Sequence, residues 1–245
     1  MNSIIKRIFV AICILTLTLS MTGCNLMGNT KKTYSAYVQS LLDANYKADF
    51  SQYLTITGVT EAEAEQVYND GIVYLAEALM SAYGVNDVEG SDIKAQFMEL
   101  AKEIYRHASY EITSVDKTDG VYYVTVTVYP IDILLITYDD TVQYIQSMNE
   151  KVTAGDYNDY ELDDYEIEYA QGIIQILTNA LPDIGNEDGT EITVTILDNG
   201  EYYYISDADF IALDKAILAT VTVNDEGNTE SPDATADTTA DTDTE

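Results

Sequence analysis

The residues able to do chemistry are few in kind. One histidine, His107, stands among 43 acidic side chains, 21 tyrosines and two cysteines, with no tryptophan. A histidine-based zinc site needs further nitrogen or sulfur ligands, and no second histidine exists to join His107. Glu103 lies four residues before it, one helical turn away on the same face, so the two read as a structural pair near a helix C-terminus, where the dipole favours a cation. A Ser-His-Asp set would have to use this same histidine, and the Gly-x-Ser-x-Gly turn that presents such a serine is absent. The densest acidic run is Asp156, Asp159, Glu161, Asp163, Asp164, Glu166 and Glu168. Calcium takes oxygen ligands at fixed loop positions, with glycine at the sixth. Asp156 and Asn158 fit the first and third, but Tyr160, Glu161 and Ile167 fall at the fifth, sixth and twelfth. The run therefore reads as a solvated acidic helix start, with loose cation binding at an acidic surface as an alternative. Paired carboxylates for glycoside hydrolysis cannot be singled out among so many acids, and no glycine-rich phosphate loop is present. No catalytic residue, metal ligand or cofactor is expected.

The cysteines have a different setting. Lys6 and Arg7 precede an apolar run over 8–19, which contains Cys13. The run is shorter than the ~20 residues a membrane-crossing helix needs, and the order of positive start, apolar core and small residues is that of a secretory signal. It closes on Ser20-Met21-Thr22-Gly23-Cys24. This end resembles the lipobox of bacterial lipoproteins, with Met21 where that family most often has leucine. The resemblance implies a diacylglyceryl group on the Cys24 thiol and cleavage just before it, so that residues 1–23 are a signal peptide and Cys24 is the lipidation site. The alternative is an ordinary secretory signal in which Cys24 is incidental. Each buried CH₂ contributes ~0.8 kcal/mol, and two acyl chains hold stably where one holds only marginally. The expected location is the extracytoplasmic face of the cell membrane, with the bilayer as a partner through the lipid on Cys24.

Removal of 1–23 leaves 222 of the 245 residues, enough for one large domain or two small ones. The formal charge of −32 becomes about −34 once Lys6 and Arg7 are lost. Nucleic acid is excluded as a partner, since its binding depends on Lys and Arg at phosphates; an unidentified envelope protein or small ligand remains. With Cys13 removed and Cys24 acylated, the mature domain has no disulfide, thiol nucleophile or thiolate metal site. It must rest on a hydrophobic core, which a chain of this length can build.

Residues 24–33 form a short polar, lipidated tether. A helix is expected over 35–46, with Tyr34, Val38, Leu41, Leu42 and Tyr46 at helical spacing. Thr60 and Glu63 make a capping box before the clearest helix, striped by Ala64, Val67, Tyr68, Ile72, Leu75, Leu79 and Ala82 and stopped at Gly84. Ser91 caps a third helix through Ile93, Phe97, Leu100 and Ile104. The period then changes to alternation. Strand 110–115, a turn over 116–120 and strand 121–129 predict a hairpin with Tyr122, Val124, Val126 and Val128 on one face, ended by Pro130. One helix over 131–152 should turn Leu134, Tyr138, Val142, Ile145, Met148 and Val152 inward. Another over 160–181 should turn in Leu162, Tyr165, Tyr169, Ile173, Ile176, Leu177 and Ala180, and stop at Pro182. A second hairpin over 190–197 and 201–205 is expected around Asn199-Gly200. Glu-Ile-Thr occurs in both hairpins, at 111–113 and 191–193. Ser206 caps a last helix. Residues 225–245, rich in Thr, Asp, Ala and Glu, bury too little apolar surface to order.

Two stretches carry a wider resemblance: Tyr37-Val38-Gln39-Ser40-Leu41-Leu42-Asp43-Ala44-Asn45-Tyr46-Lys47-Ala48-Asp49-Phe50 with Tyr53 and Thr57-Gly58-Val59-Thr60-Glu61-Ala62-Glu63-Ala64, and Val126-Thr127-Val128-Tyr129-Pro130-Ile131-Asp132. Over 34–133 the chain resembles uncharacterised lipoproteins of Gram-positive anaerobes that carry a domain of unknown function. That resemblance implies a curved sheet like those of the nuclear-transport-factor-2 or cystatin type; it defines no catalytic residue to carry over. The expectation is an α+β domain over 34–224, in which two β-hairpins form one antiparallel sheet with helices packed on one face. Its expected function is that of a non-enzymatic, membrane-anchored binding or interaction module at the cell envelope. The alternatives are an envelope hydrolase using Asp, Glu and Tyr in a concave pocket, or a cation-binding acidic surface.

Overall fold

The computed structural model describes residues 30–198, 203–220, 222–223 and 229–230. Cys24, the rest of 1–29, the Asn199-Gly200 turn and nearly all of the acidic tail lie outside the described residues.

Helix α1 (Thr30–Lys47) begins inside the stretch assigned to the tether and lays Tyr34, Tyr37, Val38, Leu41, Leu42 and Tyr46 into the core. A short helix α2 (Ser51–Thr57), not anticipated, follows; the Asp49 carboxylate accepts from the Ser51 N–H at 3.1 Å, and Gly58 closes it in the left-handed region at φ 74°. Both arms of the Thr60–Glu63 box form: Thr60 Oγ1 accepts from Glu63 N–H at 3.3 Å, and Thr60 N–H donates to Glu63 Oε2 at 2.8 Å. They open α3 (Glu61–Ala82). Helix α4 (Ile93–Tyr105) buries Ile93, Phe97, Leu100 and Ile104 as its stripe requires. Its start differs from the expected cap: the Ser91 hydroxyl donates to Val88 O at 2.8 Å and stands 3.4 Å from the Ile93 N–H.

Strands β1 (Ser109–Thr118) and β2 (Val121–Tyr129) pair antiparallel around a tight turn at Asp119 and Gly120, whose φ values are 50° and 88°. The expected five-residue turn shrinks to two because 116–118 join the ladder. Strand β3 (Thr190–Asp198) pairs with β2, and β4 (Tyr203–Ile205) with β3, giving the order β1-β2-β3-β4. Both hairpins thus build one antiparallel sheet, as expected. Glu111 and Glu191 both pair with Thr127, and Ile112 and Ile192 both with Val126, so the two Glu-Ile-Thr triplets flank the same stretch of β2. Val124, Val126, Val128, Val194 and Ile196 face the helices and are buried. The threonines between them, including Thr125 and Thr193, point to the other face, where the Thr125 and Thr193 hydroxyls approach at 3.5 Å.

The expected helix over 131–152 breaks in two: α5 (Ile133–Ile136) and α6 (Tyr138–Ala154). The break is Thr137, whose buried hydroxyl donates to Ile133 O at 2.6 Å and bonds the Tyr83 hydroxyl at 2.7 Å. Helix α7 (Leu162–Ala180) passes into a 3₁₀ turn, Leu181–Asp183, containing Pro182. Helix α8 (Asp207–Ala216) starts at Ser206, which accepts from Asp209 N–H at 3.1 Å, and buries Phe210 and Leu213. The Asp209 carboxylate in turn accepts the Thr195 N–H at 2.9 Å, covering β3 beyond the end of short β4. Ile131, fully buried, ties the chain together where β2 ends: its N–H donates to Ile217 O at 2.8 Å and its carbonyl accepts from Ala219 N–H at 2.9 Å. A two-residue pair, β5 (Thr222–Val223) with β6 (Thr229–Glu230), places two residues of the expected unstructured tail in a strand.

Candidate functional site

The expected inward face of α6 is the main correction. Only Met148 is buried; Ile145 and Val152, on the same stripe, are exposed, as is Leu162 at the start of α7. The apolar period is real, but α6 packs chiefly on α7 and α5, and Ile145 and Val152 on its outer side stay exposed. What fixes α6 to α7 is Tyr144. Its ring sits against Gly172, where a Cβ would collide with it, and stacks on Tyr169 at 5.9 Å; its hydroxyl donates to Glu168 O at 2.9 Å. Beside it Glu168 accepts from Lys151 Nζ and from the Tyr157 hydroxyl, each at 2.9 Å, which holds its carboxyl below the usual range. Of the acidic run, Glu168 is therefore built into the hairpin, while Asp156, Asp159, Glu161, Asp163 and Asp164 are exposed. Among the described residues no group of His, Cys, Asp and Glu is placed to hold a metal.

His107 follows α4 at the surface. Glu103 does not pair with it: the Glu103 carboxylate takes Nη1 of the neighbouring Arg106 at 2.7 Å. The backbone carbonyl of His107 accepts from Asn186 Nδ2 at 3.2 Å, which also donates to Tyr129 O.

A constellation that the linear chain does not announce joins α1, α4, β1 and α8. The Tyr46 hydroxyl donates to the Asp214 carboxylate. Its ring stacks on Tyr105 at 6.1 Å and tilts against Tyr110 at 6.2 Å. Next to this pair, Asp43 accepts from the Tyr110 hydroxyl at 2.8 Å and from Gln39 Nε2 at 3.0 Å, while Lys47 Nζ lies 3.6 Å from Asp43 and 4.3 Å from the Tyr110 ring centre. Asp214 as a residue is half-buried, and its carboxyl group is held at the hydroxyl of fully buried Tyr46. Burial pushes it up to about 6 against the opposing hydrogen bond from Tyr46. The Tyr46 and Tyr105 hydroxyls are held well above their ordinary range, first by burial and then by the negative Asp214. A carboxyl that titrates near neutrality suits general acid–base work when it meets a substrate. Here it meets Tyr46 instead, and fastens α8 to α1.

Shallow, open grooves mark the surface of the described residues, among them three of similar size. One, of about 430 Å³ between α1 and β1, is lined by Lys32, Gln39, Gln52, Tyr110 and Glu111. A second, of about 410 Å³ at the end of α3, holds Glu77, Asp87 and Lys94, but Lys94 already bonds Glu77 at 2.7 Å. The third, also about 410 Å³, lies along the end of α6 at Asn149, Glu150, Thr153 and Ala154. Asp214 lines none of them.

Among the described residues no helix is long and apolar enough to cross a membrane. No protein-family model matches the chain, and no curated relative does; the likeness over 34–133 to lipoproteins of Gram-positive anaerobes is thus not carried by a family model. The fold matches the crystal structure of ycdA, a Bacillus subtilis subsp. subtilis protein described as a candidate lipoprotein, with a TM-score of 0.52 and 16% identity. The match covers 77% of this chain and 56% of that one, so this chain spans little more than half of that protein's length. What the two share at this identity is a fold: helices over one face of an antiparallel sheet.

Proposed function

We propose that the chain is a lipid-anchored binding or interaction module at the extracytoplasmic face of the cell membrane. The observation that carries this reading is the spacing of Cys24 from the folded body. Only 25–29 separate the motif cysteine from α1, a span of at most ~20 Å when extended, and α1 is docked from its first turns. Lys31 Nζ bonds Asp116 at 3.2 Å, and Tyr34 packs on Tyr122 and Tyr203 at ring distances of 4.5 and 5.4 Å. A lipid on Cys24 would therefore hold the whole domain, by one end of its sheet, close to the bilayer. The likeness in fold to ycdA supports the same reading. Binding is favoured over turnover because the buried carboxyl best suited to proton transfer, Asp214, is committed to Tyr46 within the core.

The test is Cys24→Ser in the native cell. The parent should fractionate with membranes, and mass spectrometry should find its first residue to be Cys24 bearing diacylglycerol. The serine variant should leave the membrane fraction. A variant that still pellets with membranes at full length overturns the anchor; turnover of wall or peptide substrates by the purified chain overturns the binding assignment.

A further inference from the structure

Among the described residues, the large apolar side chains with the most exposed surface are Ile136 at 40%, Ile145 at 36%, Val152 at 49%, Tyr160 at 51% and Leu162 at 71%. All five lie within 27 consecutive residues, on α5, α6, the loop after α6 and the start of α7. Single exposed apolar residues are ordinary, whereas their concentration in one short segment points to an interaction surface. The surface is also supported from beneath. Tyr144 keyed against Gly172, and the Lys151–Glu168–Tyr157 bonds, hold the α6–α7 hairpin in shape without covering its outer side.

Charge decides what can cover it. From Tyr138 to Glu168 the chain carries ten acidic residues and one basic residue, Lys151, which is already paired with Glu168. A second copy of the chain would set one acidic hairpin against another, and an anionic bilayer or nucleic acid would be repelled in the same way. A cationic protein segment with an apolar face meets both demands, in the way that an amphipathic helix lies along an apolar groove with charged rims.

Position fits as well. Asp116 and Tyr122, which receive Lys31 and Tyr34, lie at one end of the β1–β2 ladder. The chain leaves β2 for α5 at the other end, after Tyr129, about 23 Å away along the strand.

We propose that the outer face of the α6–α7 hairpin docks a cationic amphipathic protein segment, on the end of the domain remote from its anchor. This rests on the binding reading above and supplies its surface and the chemistry of its partner.

The experiment uses the chain carrying Cys24→Ser in solution, so that its outcome is independent of anchoring. The probe is a synthetic helical peptide with leucine on one face and lysine on the other, followed by fluorescence anisotropy and hydrogen exchange. Binding should protect 136–168, weaken as salt rises from about 0.05 M to about 0.5 M, and be absent for peptides with glutamate for lysine or serine for leucine. The double variant Val152→Ser, Leu162→Ser changes exposed positions only. It should keep its melting temperature and bind roughly tenfold more weakly or worse, as truncation of apolar anchors does. No binding, equal binding by the double variant or by the glutamate peptide, protection elsewhere, or self-association through this face would each overturn the proposal. Loss of binding here with Cys24-dependent fractionation intact would refute the docking face and leave the anchor standing.

Discussion

Replacing Asp214 by asparagine isolates one buried charge. In the folded chain its carboxyl is raised from 3.8 to about 6. At 1.36 kcal/mol for each pH unit of difference, that is a cost of ~3 kcal/mol to the folded state once the group is ionised in both states. The sign follows from proton uptake. Above about pH 6 folded and unfolded chains are both ionised and the cost is complete. As pH falls through 6 the folded chain takes a proton that the unfolded chain does not take until near 3.8, so stability rises across that window and the cost is gone below it. Asp214→Asn keeps an oxygen to accept from Tyr46 but does not titrate. Every other carboxylate, including Asp49, Glu63, Asp116 and Glu168, all held below their usual range by exposed partners, is common to both proteins. So is the relief of self-repulsion on acidifying a chain of net charge −32. The difference between the two stability curves therefore reports Asp214 alone. Urea unfolding followed by circular dichroism across pH 4 to 8, values about the window just derived, should show the asparagine variant gaining on the parent by ~3 kcal/mol from the acid end to the alkaline end. Parallel curves would refute the assignment of a buried, proton-hungry carboxyl at this position.

The two most buried tyrosine hydroxyls of α1 and α2 should respond with opposite signs. Tyr46→Phe strips the Asp214 carboxylate of its donor and should cost ~2 kcal/mol at neutral pH, while raising the Asp214 titration further. Tyr53→Phe removes a buried hydroxyl that has no hydrogen-bond partner among the described residues, so stability should stay level or rise by up to ~1 kcal/mol; a loss of that size or more would place an unrecognised partner there. Thr60→Ala deletes one arm of the α3 cap and should cost ~1 kcal/mol in urea unfolding. Gly172→Ala drives a methyl group into the Tyr144 ring and should cost ~1–3 kcal/mol. Hydrogen exchange should locate its loss of protection in α6, with the sheet unaffected; uniform loss would contradict the view that Tyr144 is what fastens this helix.

Some of the architecture can be read along the chain because its causes are local. The Thr60–Glu63 box and the Ser206 cap each satisfy backbone donors within three residues, and both form. The alternation from Tyr122 to Val128 names the inward face of β2 correctly, since a pleat has period two in any context. The break at Thr137 is not readable in this way. It falls where the Thr137 hydroxyl meets that of Tyr83, 54 residues away, a contact that chain order does not announce. Helix α2 is short enough that its signal lies in its ends, Asp49 and Gly58, rather than in any apolar stripe. The α6 stripe shows a different limit. Ile145, Met148 and Val152 follow the helical period, but periodicity states which face of a helix is apolar and not whether another element arrives to cover it.

The candidate sites divide on the same line. The segment up to Cys24, its charge, apolar run and small residues before the thiol, is legible in residue order alone and carries the proposed anchor, and sequence by itself determined that His107 has no second histidine to join it. Which of 43 acids becomes a buried carboxyl could not be told from order. Tyr46 and Asp214 stand 168 residues apart, and only the tertiary fold, which seats α8 on the sheet beside Tyr46, brings that one carboxyl to a buried hydroxyl. The exposed face of the α6–α7 hairpin was likewise decided by tertiary structure. Burial belongs to the assembled molecule, because water is excluded by neighbours, and neighbours are chosen by the fold.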